Sequence, residues 1–170
     1  MNNASGMNCG THANSDKELL SAKIVLADGT RLNTSDPESR MTFEKNHTPF
    51  LNKIIEIRDE IRNDNELNDR IRKKYSIKNV TGLNLLPFVI YDDPFDIIAH
   101  LMVGSEGTLA FLSEVTMKTE HDYPYSASAM LYFSNIKDAC RAVVAMKPGP
   151  VFSAELLDKK SLASVNDTTG

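Results

Sequence analysis

The chain has 170 residues, of which 41% are apolar and 25% charged, a balance that fits one or two small globular domains rather than a fibre, a disordered tail or a membrane protein. Nineteen basic against 23 acidic side chains give a net charge of −4 and a pI near 5.6, which disfavours nucleic acid or an anionic membrane as partner. The only cysteines, Cys9 and Cys140, are too few for a disulfide framework or a cysteine-built iron–sulfur cluster, and point to a reducing compartment.

Asn2 to Gly10 has neither a basic n-region nor an apolar stretch, so it reads as untargeted, and no run approaches the ~20 apolar residues of a membrane span. Without a secretion signal, Asn46-His47-Thr48 and Asn79-Val80-Thr81 are chance glycosylation triplets. The turn-like ending Asn166 to Gly170 gives both ends the look of a cut chain.

Ser21 to Ala27 alternates and is β-rich, Asp28-Gly29 supplies a tight turn, and Thr30 to Leu32 returns, which predicts a β-hairpin. Asp36-Pro37 and Thr48-Pro49 each place a capping residue before a proline, and Phe50, Ile54, Ile57 and Ile61 follow at helical spacing, which predicts an amphipathic helix over 49–63. Its other face, Lys53, Glu56, Arg58, Asp59, Glu60 and Arg62, alternates in sign and suits solvent. A second helix over 65–74 ends in Arg70, Arg72, Lys73 and Lys74, cations that favour a helix C-terminus and need no phosphate to explain them.

Ser76 to Asp93 is interrupted by Gly82, Asn84 and Pro87 and reads as a long ordered loop; Asp93-Pro94 opens a short helix through His100 or Leu101. Val103 to Leu109 is a small-residue turn feeding a β-rich run over 109–119. From Ser126 the texture changes to β-α-β, with strands over 126–133 and 151–157 and a helix over 135–147 whose buried stripe would be Ile136, Ala139, Cys140, Val143 and Val144. Cys140 is on that account a core residue rather than a nucleophile. Tyr123-Pro124-Tyr125 marks the boundary between domains over 1–122 and 123–170.

Cys9-Gly10-Thr11-His12 has the spacing of half a zinc site, but His47, His100 and His121 stand alone, so no metal is expected. Gly104-Ser105-Glu106-Gly107 lacks both the spacing and the following helix of a nucleophile elbow. The glycine spacing fits neither a dinucleotide-binding fingerprint nor a P-loop. Two loops remain, over 2–11 and 104–108, whose small residues allow close backbone approach; either their successive amides cradle anionic oxygens or, the simpler reading of each loop alone, both are merely tight turns.

Asn3-Ala4-Ser5-Gly6, then Cys9-Gly10-Thr11, a strand ending in Ala27-Asp28-Gly29, and Val103-Gly104-Ser105-Glu106-Gly107-Thr108-Leu109-Ala110-Phe111 occur in the order expected of one family. In them the chain resembles FAD-linked oxidases of the PCMH type, in the vanillyl-alcohol-oxidase group, within the branch of D-lactate, glycolate and D-2-hydroxyglutarate dehydrogenases. Ser5 replaces the first glycine of that branch's N-A-G-G signature, and Ala110 the glycine usual after G-S-E-G-T-L. Ala154 to Asp158 resembles the E-L-(L/M)-D strand of the cap domain.

The resemblance implies an α+β fold, the PCMH-type second FAD subdomain with an antiparallel sheet and helices, followed by part of an α/β cap domain. It implies FAD, bound noncovalently because neither Cys9 nor His12 lies in a recognised attachment motif. Asn3, Ser5, Gly6, Gly10 and Thr11 would lie along the flavin and pyrophosphate, and Gly104, Ser105, Glu106, Gly107, Leu109 and Phe111 toward the adenosine half. It further implies a 2-hydroxy acid as substrate, a quinone, a cytochrome or an iron–sulfur relay as acceptor, and a cytoplasmic location or one peripheral to the inner membrane through that acceptor. The family's pyrophosphate-binding first subdomain and its H-x-G-D-G-N-x-H segment have no counterpart in these residues, so none is named as catalytic. Residues 85–95 read as an insertion, and with the helical insert over 37–74 they resemble the large fusions of an FAD oxidase with an iron–sulfur region. The competing expectation is a non-catalytic fragment or interaction module that retains no cofactor.

Overall fold

The computed structural model describes residues 1–4, 6, 13–119, 121 and 123–165. It divides into two compact units, Met1–Glu120 and His121–Gly170.

In the first unit a short helix α1 (Ser15–Glu18) leads into β1 (Leu19–Val25), which is the centre of a three-stranded antiparallel sheet. On one side β1 pairs with β2 (Arg31–Asn33), Ile24 opposite Leu32; on the other it pairs with β3 (Phe111–Met117), Ala22 opposite Val115 and Ile24 opposite Leu112. Asp28 closes the hairpin by accepting from the Thr30 amide at 2.9 Å, and that bond holds its carboxyl below the usual carboxylate range. Ser21, Ala22, Ile24 and Leu32 are buried, whereas Leu20, Phe111 and Val115 are exposed. This three-stranded sheet is the antiparallel component of a mixed α/β fold compatible with the α+β class.

The expected hairpin, the helix α3 (Asn65–Lys74) and the helix α5 (Pro94–Leu101) all form. Helix α2 runs farther than its amphipathic half predicts, from Pro37 to Asn63, because Asp36 caps the first proline turn and accepts from the Glu38 and Ser39 amides. Thr48 therefore does not act as a cap; its hydroxyl bonds back to the Glu44 carbonyl at 2.6 Å. The cost of Pro49 inside a helix appears as a kink at His47, with φ −131° and ψ 30°. Phe43, just before the kink, packs edge-on against Phe50 and Phe95, so the bend keeps both halves of α2 on the core.

Ser76 to Asp93 is not all loop. Leu86–Ile90 forms α4, with Pro87 in its first turn, where the missing amide costs nothing. Arg58 and Arg62, expected on a solvated face, reach across to this segment: Arg62 donates to the carbonyls of Phe88 and Tyr91 and pairs with Asp92, and Arg58 donates to the Asp92 carbonyl. Arg40 pairs with Asp93 and stacks 4.5 Å over the Phe95 ring. Three arginines of one helix thus fasten the 88–93 turn.

In the second unit Asn135 caps α6 (Ile136–Met146) through the Asp138 amide at 3.0 Å, and Asp158 caps α7 (Lys159–Ala163) through the Ser161 amide at 2.7 Å. The predicted strands over 126–133 and 151–157 do not form: neither segment has a ladder partner among the described residues, and an extended segment becomes a strand only by pairing. The stripe of α6 is likewise largely uncovered. Ala139 is buried, while Ile136, Val143, Val144 and the free Cys140 are exposed, which corrects the reading of Cys140 as a core residue. No described helix is long and apolar enough to cross a membrane.

Candidate functional site: the N-terminal segment on the glycine turn

Helix α5 delivers the chain into the turn at 102–108, which needs three left-handed residues in four: Gly104 at φ +88°, Glu106 at +49° and Gly107 at +83°. At Gly104 the reason for glycine is also steric, since a Cβ there would stand 2.6 Å from the Gly82 carbonyl oxygen. At Gly107 nothing lies within 4 Å of the corresponding position, so its side is open.

The turn's amides are not a vacant anion cradle. Gly104 and Glu106 both donate to the Met1 carbonyl, at 3.0 and 3.1 Å; Ser105 donates to Met102 O and Thr108 to Ser105 O. Ser105 is buried, with its hydroxyl on the Met102 carbonyl at 2.9 Å, and Thr108 closes the turn with its hydroxyl on Ser105 O. Two of the amides serve the Met1 carbonyl, which agrees with the reading of this loop as a tight turn rather than an anion cradle.

Among the described residues of the N-terminal segment, three more are tied to the rest of the unit. Asn3 is buried and its side-chain oxygen accepts from the Asp16 amide at 3.3 Å; the Ala4 carbonyl accepts from the Ser15 hydroxyl; the Gly6 carbonyl accepts from the Lys78 ammonium at 3.1 Å. Behind it lies a buried polar group in which Asn84 donates to one Asp16 oxygen at 3.2 Å and accepts from the Leu86 amide. The other Asp16 oxygen is buried with no hydrogen-bond partner among the described residues.

Met1, Gly107, Ala110, Phe111 and Leu112 line a shallow groove of about 370 Å³ where this segment meets the turn and β3. Of the residues predicted for the site, Gly107 and Phe111 line the groove and Gly6, Glu106 and Leu109 are exposed; Asn3, Gly104 and Ser105 are buried supports. Ser5, Gly10 and Thr11 lie outside the described residues, as do Cys9 and His12. Sequence reasoning missed Met1, Asp16, Lys78, Gly82 and Asn84. The signal available for the last three is their clustering in one Gly/Asn-bearing stretch, whose pattern by itself says only loop.

Beneath the turn, the buried His100 ring stacks on Tyr91 at 4.2 Å. Its Nδ1 lies 2.8 Å from the Asp96 carbonyl, which can only accept, so Nδ1 carries the proton and Nε2 accepts from the Tyr91 hydroxyl at 3.0 Å. Burial, with Asp96 and Asp16 nearby, pushes the Tyr91 phenol up. Asp96 is raised too, by burial first and by Asp93 second, against the lowering influence of Arg40 and His100. A carboxyl whose folded pKa is raised opposes folding when ionised, in full at pH above that raised value and not at all below its unfolded value. Asp96→Asn is therefore expected to raise the thermal midpoint at pH 7 and leave it unchanged at pH 3; equal shifts at both would show that charge is not the cause. Among the described residues no three His, Cys, Asp or Glu side chains are grouped to hold a metal ion.

A mixed α/β unit with a small antiparallel sheet and a glycine turn at its edge is the class these features define. No protein-family description and no solved structure matches the chain. It is similar to the mitochondrial D-lactate dehydrogenase [cytochrome] of Arabidopsis thaliana, with 32% identity over 75 residues, a stretch that is 43% of this chain and 13% of that protein.

Proposed function

We propose that this chain is part of an FAD-dependent oxidoreductase that oxidises a D-2-hydroxy acid, contributing the second flavin-binding subdomain over 1–122 and the start of the substrate-side cap domain over 123–170. The observation that carries the reading is the groove beside Gly107, where the N-terminal segment is fixed on the Gly104–Thr108 turn with an open, partly apolar wall. The similarity to a D-lactate dehydrogenase supports the same assignment.

The residues present fit one end of a flavin dinucleotide. Gly107 leaves free space where a side chain would stand, and the exposed Phe111 ring supplies an apolar face beside it. Asn3, Gly104 and Ser105 are buried supports of this wall and Gly6, Glu106 and Leu109 are exposed, while Ser5, Gly10 and Thr11 are assigned to the same site from the sequence alone. FAD would supply the redox chemistry, accepting the substrate's α-hydride and passing electrons to a quinone, a cytochrome or an iron–sulfur relay. The work of these residues is to orient the cofactor and exclude water from its edge.

Gly107→Val tests the reading in the intact protein. A β-branched side chain at φ +83° would be strained by about 1–3 kcal/mol and would fill the open side of the groove. The expected result is loss of bound flavin and of D-2-hydroxy acid oxidation together. Unchanged flavin content and turnover would mean that the groove is not the cofactor site.

A further inference from the structure

Lys78 lies 72 positions from Gly6 in sequence, yet its ammonium donates to the Gly6 carbonyl at 3.1 Å. The loop that carries it is fixed farther along: the Tyr75 hydroxyl donates to Leu83 O and accepts from the Leu85 amide, Asn84 is bound to the buried Asp16, and Gly82 is pressed against Gly104. Lys78 therefore hangs from an anchored loop onto the N-terminal one. It is exposed, and among the described residues no carboxylate pairs with it. An ammonium has three donors, and the Gly6 carbonyl takes one. Lys23, Arg40, Lys53, Arg58, Arg62 and Arg141 are engaged with carboxylates; what sets Lys78 apart among the remaining cations is its contact with a loop carbonyl 72 positions away.

We propose that Lys78 is the cation of the site's phosphate end: it fixes Gly6 with one N–H and offers the others to a phosphate of the ligand lying on the N-terminal loop. The turn at 104–108 does not fill that role, because its amides at 104, 105, 106 and 108 already serve protein carbonyls. An exposed lysine beside a small-residue loop gives the anion a point charge that can follow it, and the chain's net charge of −4 makes a local cation the more necessary. This inference rests on the flavin reading for the identity of the ligand, but not for the presence of an anion site.

The test compares the intact protein with Lys78→Gln and Lys78→Arg, titrating FAD and riboflavin, the latter having the ring but no phosphate. Loss of one charge-assisted contact is expected to weaken FAD by about tenfold or more. Riboflavin should change less than about twofold, Lys78→Arg should recover most of the loss, and the salt dependence of FAD binding should flatten in Lys78→Gln. Equal weakening of FAD and riboflavin would show that Lys78 only braces the Gly6 loop, and no change in either would remove it from the site; both overturn the proposal. Should the wild-type protein bind neither flavin, the functional reading fails on its own, and inorganic pyrophosphate decides the rest. A thermal shift in wild type that Lys78→Gln lacks supports the anion site, and equal or absent shifts overturn it.

Discussion

Gly104→Ala is expected to destabilise the protein by about 2–6 kcal/mol, measured by denaturant unfolding, because two penalties coincide. The backbone at φ +88° costs an L-residue on the order of 1–3 kcal/mol. The added methyl would also stand 2.6 Å from the Gly82 carbonyl oxygen, a backbone atom held by the Asn84–Asp16 contact two residues away, so relief needs movement of the whole 82–84 loop. Overpacking of this kind adds roughly 1–3 kcal/mol. Gly107→Ala separates the two, since φ is +83° but the space is free, and should show only the conformational part. Equal losses at the two positions would refute the close approach of the 82 and 104 segments.

Ile97→Ala should be the most damaging truncation among the helices of the first unit, at about 2–5 kcal/mol. Ile97 is 0% exposed, at the centre of α5 between β1 and α2, where a deleted side chain leaves a cavity walled by a sheet and a fastened helix. Ile136→Ala, at 60% exposure on α6, should change stability by less than about 0.5 kcal/mol although both residues are isoleucines in helices. If the two substitutions cost the same, α6 is packed in solution against something that covers its stripe.

That contrast shows where the sequence was legible. Local chemistry was read correctly: Asp36 and Asp93 before prolines do cap helices, the basic end of α3 is a helix end, and Asp28-Gly29 does turn the hairpin. Periodicity over 49–63 found the buried Ile54 and Ile61, but Thr48-Pro49 looked like a start and proved to be a kink, because a proline in sequence cannot say whether the preceding turn is already helical. Ile24 is 1% exposed within the core of the first unit, with Leu26 packed beside it, because α5 packs on β1. In residues 126–157 the β pattern was real in composition but formed no ladder, and Val151 and Leu156 remain exposed. Burial and pairing are properties of partners, which a single strand's alternation does not contain.

The site divides the same way. The glycines announced a turn with left-handed residues, and the turn is there. That two of its amides are taken by Met1, that the Asn3 side chain meets the Asp16 amide, and that Lys78 reaches Gly6 are long-range facts, spanning 103 and 105, 13 and 72 positions, that no local motif encodes.

The central claim, that this chain forms part of a flavin site, is tested most directly by measuring flavin in the intact purified protein and in the supernatant after acid precipitation. The account predicts about one flavin per chain, recovered as free FAD with the pellet colourless, and with Gly107→Val purifying flavin-poor. A colourless protein whose thermal midpoint does not move on adding excess FAD would contradict it.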